Sequence, residues 1–216
     1  MLFLFQFRAN EKCGIIRAEV VEIQQMFDAG CSPALYQMQG KSFDFPDMTH
    51  ELCPHCKADY LKKHGFYERY LITEGFEGEI TIRRYCCHEC RKTVSLLPSF
   101  CHPMRTYGIA AIFGVLKEFY VKMSAACLAV ARFLAATGVE ITRQLLRHYR
   151  RRIEQNSNSL AMSITDIYAL KEPLITTTTN MRRKVRQLLS FIECPQDDSL
   201  KIFKQTRTTY LTPQPI

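Results

Sequence analysis

The sequence of 216 residues contains no tryptophan and no apolar run of the roughly 18 residues that a membrane-spanning helix needs. Its apolar start, MLFLFQF, is short and lacks the cationic leader and small-residue cleavage site of a signal peptide. These absences predict a cytoplasmic protein with no membrane partner. Hydrophobic residues make up 47% of the chain, with 14 Phe and 10 Tyr, so a core can form and wholesale disorder is disfavoured.

The sequence motifs of common catalytic sites are also missing. There is no phosphate-binding loop, no His-Glu-x-x-His and no Ser/His/Asp set. A DDE transposase needs three carboxylates that hold two metal ions. The residues after position 155 offer carboxylates without buried strands around them: Asp166, Glu172, Glu193, Asp197 and Asp198. We therefore predict that the chain is not an enzyme, which remains compatible with its being the targeting half of a split transposase.

The whole chain has a formal net charge of +8, and the excess of positive charge lies toward its C-terminal end. Residues 1–52 carry 4 Lys/Arg against 7 Asp/Glu, whereas residues 142–216 carry 13 against 6. A basic segment on a globular body predicts a polyanion partner, most often nucleic acid. The alternative is an ordinary solvated basic surface.

The ten cysteines include two Cys-x-x-Cys pairs with 30 residues between them. In a cytoplasmic protein such pairs indicate metal binding, because thiols stay reduced there and two intervening residues let a tight turn aim both sulfurs at one ion. Four thiolates with no spare ligand position indicate one structural Zn²⁺ per chain. The predicted ligands are Cys53, Cys56, Cys87 and Cys90.

Cys86 is the alternative to Cys87 as a ligand, and it would leave three rather than two residues between itself and Cys90. The two-residue spacing favours Cys87, and Cys86 is then a buried or half-buried thiol. His55 and His88 lie inside the pairs, where we expect exposed turn residues rather than ligands. Iron is the rival metal, since a rubredoxin-type site uses similar pairs, and disulfides or free thiols are the alternatives to any metal.

Hydrophobic periodicity and capping residues predict the remaining elements. MLFLFQF is typical of a strand and residues 15–27 of a helix, and β-type runs around EGFEGE predict a hairpin. Three consecutive helices are predicted: one over 107–121, a second that begins after an N-cap at Ser124 and ends at Gly138, and a third that begins after an N-cap at Thr142. A weaker helix is predicted over 160–170, and a further one within NMRRKVRQLLSFIE. The last twenty residues carry little pattern and predict a loose tail.

The helix that follows Thr142 suggests DNA recognition. It is preceded by the Gly-containing turn ATGVEIT, which suits a helix-turn-helix. Leu and Tyr lie on one face, whereas five Arg and no acidic residue occur between 142 and 153. Arg can read guanine and Gln adenine in a major groove, while other Arg residues bind phosphate. The predicted DNA-binding residues are Arg143, Gln144, Arg147, His148, Arg150 and Arg151.

Four short motifs give the sequence a family resemblance. They are Cys53-Pro54-x-Cys56, His64-Gly65-Phe66-Tyr67, Arg84-Tyr85-x-Cys87-x-x-Cys90 and Leu97-Pro98-x-Phe100. Over roughly residues 45–155 the chain resembles the zinc ribbon of bacterial insertion-sequence proteins. In particular, it is similar to an uncharacterised family of small proteins that pair this ribbon with a helix-turn-helix and occur with mobile elements. The resemblance implies a DNA-binding protein tied to transposition, and it favours Cys87 over Cys86.

Together these features predict an α+β protein with four parts. They are an N-terminal strand and helix segment (1–45), a zinc-ribbon β module (46–104), an all-α helix-turn-helix (105–155) and a helical, partly flexible basic tail (156–216). The predicted function is that of a non-catalytic DNA-binding accessory or regulator of a transposable element. It would be nucleoid-associated, a possible homodimer, and a possible partner of a separately encoded transposase. An ordinary transcription regulator or RNA binder is one alternative, and a metal-ribbon interaction or electron-transfer module is another.

Overall fold

The computed structural model describes residues 23–170 and 180–206, apart from the side chains of 23, 203, 205 and 206. The described chain is mixed α+β, as predicted, with a four-stranded sheet and seven α-helices. The strands are β1 (Ile23–Phe27), β2 (Leu61–Thr73), β3 (Phe76–Cys87) and β4 (Thr93–Pro98). The helices are α1 (Pro33–Gln39), α2 (Ile109–Tyr120), α3 (Ala126–Thr137), α4 (Arg143–Gln155), α5 (Ser157–Ile167), α6 (Met181–Phe191) and α7 (Pro195–Thr206). In the described ranges, no helix has both the length and the apolar character required to cross a bilayer.

The longest part of the sheet is the antiparallel hairpin β2–β3, whose pairs run from Leu61 with Cys87 to Thr73 with Phe76. Its turn is the predicted glycine-containing one, and Gly75 takes the positive φ of 70° that favours glycine. Strand β4 pairs antiparallel with β3, which gives the order β1-β4-β3-β2. The first cysteine pair precedes β2 and the second begins at the last residue of β3, so the pairing of Leu61 with Cys87 brings both pairs to one end of the hairpin.

Strand β1 corrects the prediction of a helix over 15–27. Its residues pair in parallel with β4, from Ile23 opposite Val94 to Phe27 opposite Pro98. Met26 and Phe27 are buried, so tertiary pairing has overridden a helical spacing in the sequence. The rest of that predicted helix, and the predicted strand MLFLFQF, lie outside the described residues.

Helix α2 is the central helix, and α3, α4, α6 and α7 all contact it. It joins the sheet through Gly108, whose N–H donates to the carbonyl of Ile72 at 2.8 Å. A Cβ at Gly108 would lie 2.9 Å from the side chain of Thr73 and 3.0 Å from the carbonyl oxygen of Phe100. Glycine is therefore required where the hairpin, the loop after β4 and the start of α2 converge.

Two of the three predicted helix-capping residues cap a helix in the structure. Gly138 ends α3 with a left-handed φ of 73°, and Thr142 caps α4 by accepting from the N–H of Leu145 at 3.2 Å. The prediction of Ser124 as the cap of α3 is wrong, because α3 has Ala125 at its N-cap. The Ser124 hydroxyl instead accepts from Arg132 at 3.0 Å.

The C-terminal helices pack onto the bundle. Val185, Leu188 and Leu189 of α6 are buried, and α7 contacts both α2 and β1. The predicted weak helix over 160–170 corresponds to α5. The prediction of a loose tail is wrong for 197–206, which lie in α7.

Candidate metal centre and basic helix

The four predicted cysteines lie together at the end of the β2–β3 hairpin. The ligand atoms of Cys53, Cys56, Cys87 and Cys90 are all within 4.8 Å of one another. Two Sγ–Sγ distances are 3.7 Å, from Cys53 to Cys90, and 3.5 Å, from Cys56 to Cys87. Sulfurs at about 2.3 Å from a tetrahedral zinc ion are about 3.8 Å apart, whereas disulfide sulfurs are about 2.05 Å apart. The four thiols are therefore spaced to hold a metal ion.

The two cysteine pairs have the same backbone geometry. The N–H of the first cysteine donates to the carbonyl five residues later, from Cys53 to Ala58 at 2.9 Å and from Cys87 to Lys92 at 3.0 Å. The residue after the second cysteine is left-handed in both, with φ 63° at Lys57 and 58° at Arg91. This repeated turn brings two sulfurs from each pair to the same point, which explains the Cys-x-x-Cys spacing.

The electrostatics of the cluster favour a bound cation. Burial raises the pKa of the Cys90 thiol to about 12 and also raises the pKa of Cys87. A backbone hydrogen bond at Ala58 lowers the pKa of Cys56 to about 7. Since metal ligation needs all four as thiolates, a compensating positive charge must accompany ionisation of the buried thiols. This donor set fits a metal ion such as zinc.

The left-handed residues of the two turns supply a stability prediction. A non-glycine residue with left-handed backbone angles destabilises the folded state by roughly 1–2 kcal/mol. Glycine avoids this strain, but part of the gain is offset because glycine has more conformational freedom in the unfolded chain. We expect Arg91→Gly to raise the free energy of unfolding of the metal-loaded protein by roughly 0.5–1 kcal/mol in urea titrations. Arg91→Ala, which keeps the strained backbone, should give no gain. Equal stability of the two variants would contradict this account.

The remaining cysteine and histidines of this region lie outside the group of four. Cys86 is half-buried, and its Sγ points at the carbonyls of Cys87 and Arg91, at 3.5 and 3.8 Å. His55 is exposed and contacts the Lys92 ammonium, and His88 is exposed at 3.3 Å from Glu89. These positions agree with the prediction that the histidines are turn residues.

Helix α4 is held on the bundle by one apolar face. Leu146, Tyr149 and Ile153 are fully or almost fully buried. The five residues between α3 and α4 are fixed as well, because Val139 and Ile141 are buried and the carbonyl of Glu140 accepts from the Tyr107 hydroxyl at 2.8 Å. The connection is therefore a fixed turn. The face of α4 opposite Leu146, Tyr149 and Ile153 points to solvent.

That outward face carries four of the six predicted DNA-binding residues. Arg143, Gln144, Arg147 and Arg151 are exposed. The three arginines are spaced four residues apart, so they form one stripe along the helix. None of the three forms an ion pair with another described residue. The stripe is a row of uncompensated positive charge.

The other two predicted DNA-binding residues have internal partners. The Arg150 guanidinium lies 3.9 Å from the ring centroid of Phe119 in α2, and its Nη2 is 3.8 Å from Glu154. Nε2 of His148 accepts a hydrogen bond from Arg105 Nη2 at 2.9 Å, and burial and nearby arginines lower the His148 pKa. Both side chains are half-buried, so their placement disfavours direct contact with DNA.

Arg69 and Arg105 connect the hairpin to α4, which sequence reasoning missed. Arg69 in β2 donates to the carbonyls of His102 and Arg105, and the Arg105 side chain reaches His148. Two arginines also contact one aromatic ring, since Arg182 of α6 lies 4.5 Å from the Phe119 centroid. Arg182 forms no ion pair with another described residue. No local sequence signal marks these contacts, because each joins residues from different elements.

Comparison with known proteins gave one match. A family model described as a domain of unknown function (DUF6431) matches residues 53–133. The matched span begins at Cys53, the first cysteine of the metal centre, and ends within α3. It therefore includes the metal centre and α2 but not α4. Neither the curated proteins nor the solved structures contain a significant match to the chain.

Proposed function

We propose that this protein is a non-catalytic DNA-binding protein in which a zinc ribbon supports a helix-turn-helix. In this proposal α2, α3 and α4 are the three helices of the helix-turn-helix, and α4 is the recognition helix. The single observation that carries the proposal is the exposed arginine stripe of α4, opposite a face fixed in the core. An ordinary surface helix usually mixes charge signs, whereas the exposed stripe of this one does not.

The recognition helix would enter the major groove with its first turns. Arg143, Gln144 and Arg147 lie there, and bidentate Arg–guanine and Gln–adenine pairs would read base edges. Arg151 lies one turn later and would meet a backbone phosphate. Arg150 and His148 would act indirectly, by holding α4 against Phe119 and Arg105.

The metal would have a structural role. Four cysteines leave no ligand position open for a substrate, and we propose zinc as the metal because it favours four thiolates in structural sites. The folded hairpin positions Arg69, which holds the loop whose Arg105 contacts α4. A bound ion would thereby order the support of the recognition helix as well as its own module.

The biological setting that we propose is a transposable element, with the protein as accessory or regulator beside a separately encoded transposase. The motif resemblance of residues 45–155 supports this setting. An ordinary transcription regulator of the same architecture is the alternative, and RNA binding is a further one. Selection of bound sequences from random DNA distinguishes the first two, because only an element-associated protein should select sequences found at element ends.

Arg147→Ala and Arg151→Ala test the recognition helix as a pair. Loss of the base-reading Arg147 should cost roughly 1–3 kcal/mol on the selected site and relax its preference at one position. Loss of Arg151 should weaken binding to selected and scrambled DNA alike, and lower the slope of log affinity against log salt by about one. Salt titrations of both variants on both DNAs measure the difference.

Lys62→Ala is a matched control. Lys62 is exposed on β2, so this substitution also removes one positive charge from the surface, but outside α4. It should bind like the wild type at each salt concentration. If Arg147→Ala and Arg151→Ala also bind like the wild type throughout, α4 is an ordinary basic surface and the proposed function fails.

A further inference from the structure

A second basic helix, α6, lies beside the proposed recognition helix. Four Lys or Arg and no acidic residue occur between Met181 and Phe191. Val185, Leu188 and Leu189 anchor α6 in the core, so its orientation is fixed. Its basic residues therefore face set directions and divide into an internal pair and an outward pair.

The internal pair fastens α6 to its neighbours. Nη2 of Arg182 donates to the carbonyls of Phe119 and Ser124, at 3.2 and 3.0 Å. Lys184 donates to the side chain of Asn158. These two cations are used in packing, so they are not available to a ligand without loss of those contacts.

The outward pair, Arg183 and Arg186, makes no such side-chain contacts with the part of the chain that the structure describes. Both are exposed, and neither forms an ion pair with any residue in the described ranges. They line an open surface recess of about 510 Å³ together with Val121, Gln187 and Ser190. Among the described residues, the lining supplies two guanidinium groups and an amide and no carboxylate, while the Ser190 hydroxyl donates to the Gln187 carbonyl at 2.7 Å. That set of donors matches an anion with several acceptor oxygens, such as a phosphate group.

Phe119 of α2 is a packing point shared by α4, which carries the arginine stripe, and α6, which carries the recess arginines. Arg150 of α4 and Arg182 of α6 both lie over the Phe119 ring, at 3.9 and 4.5 Å from its centroid. Arg150 directly precedes Arg151 of the stripe, and Arg182 directly precedes Arg183 of the recess. Val121, in the lining, is two residues beyond Phe119. The two basic helices α4 and α6 thus meet at the end of α2.

We propose that Arg183 and Arg186 bind the phosphate backbone of the DNA that α4 contacts, as a second anchoring point. This inference rests on the proposed function, because it names a further contact for the same duplex. Phosphate contacts fix the orientation of a protein on DNA and carry no base preference. The recess would therefore set how α4 lies in the groove and add a salt-sensitive part of the affinity.

The test is a salt titration of Arg183→Gln/Arg186→Gln on a selected duplex and on a scrambled one. We expect equal weakening on both duplexes, and a fall of about 1–2 in the slope of log affinity against log salt, at about 0.9 per phosphate contact. Arg183→Lys/Arg186→Lys should keep most of the slope, since the charges remain. Lys41→Ala/Lys62→Ala removes two exposed charges elsewhere and should leave the slope at the wild-type value.

The outcomes separate this inference from the proposed function. A wild-type protein that binds neither duplex, or that prefers RNA of the same sequence, overturns the proposed function and this inference with it. A wild-type protein that binds DNA, with an unchanged slope in the folded Gln variant, overturns only the role of the recess. A loss confined to the selected duplex would assign Arg183 and Arg186 to base reading instead, which also contradicts the inference.

Discussion

Cys53→Ser protein is expected to contain no bound zinc, whereas we expect one zinc ion per chain in the wild type. Cys53 is fully buried at the centre of the cysteine group, and its Sγ lies 3.7 Å from that of Cys90. Structural zinc in small modules contributes an apparent 10–16 kcal/mol at neutral pH, which is comparable to the whole stability of a domain. We therefore expect the hairpin end around residues 53–61 and 86–92 to unfold, as measured by elemental analysis and hydrogen exchange.

Cys86→Ser is the matched control for this prediction. It changes an adjacent thiol whose sulfur faces the carbonyls of Cys87 and Arg91 rather than the cluster. Its metal content and exchange protection should equal those of the wild type. If zinc is lost in Cys86→Ser and retained in Cys87→Ser, Cys86 rather than Cys87 is the ligand. If the purified wild-type protein is red and contains iron, the metal is iron rather than zinc.

Phe119→Ala is expected to lower the free energy of unfolding by about 3–5 kcal/mol, the range for truncation of a buried Phe. The Phe119 residue is 4% exposed, its ring lies edge-on to that of Tyr120 at 4.9 Å, and two guanidinium groups contact the ring. Its loss would leave a cavity and remove two cation–π contacts in one step. Urea unfolding of the metal-loaded protein measures the change.

Two further variants make this result specific. Leu134→Ala on α3 removes a side chain that is 44% exposed and should change stability by less than about 0.5 kcal/mol. Phe119→Leu keeps apolar volume but loses the aromatic face, so it should fall between the wild type and Phe119→Ala. If Phe119→Ala costs no more than Leu134→Ala, the ring is not the support that joins α4 and α6 to α2.

The parts of the candidate site that depend on short-range geometry could be predicted from the sequence. A two-residue spacing between cysteines is sufficient to form each turn, so the four thiols were identifiable before their distances were known. The outward direction of Arg143, Arg147 and Arg151 likewise follows from helical periodicity and a buried opposite face. Thr142 and Gly138 mark their helix ends because capping depends on neighbouring residues alone.

The errors have the opposite character, because each depends on a partner far along the chain. Residues 23–27 form a strand since β4 offers an open edge, which no local pattern reveals. Arg150 turns inward because it packs on Phe119 of α2, although the next residue, Arg151, is an exposed arginine. Ser124 is used by Arg132 and Arg182 rather than by the start of α3.

The parallel pairing of β1 with β4 also constrains the order in which the molecule can assemble. The hairpin β2–β3 closes a short loop and can form early, whereas β1 must wait for a strand about seventy residues further along the chain. Helix α7, which contacts β1, is later still. On the ribosome, residues 23–27 would therefore emerge long before either of their partners. Closure of the sheet by its earliest strand is expected to be a late event in folding.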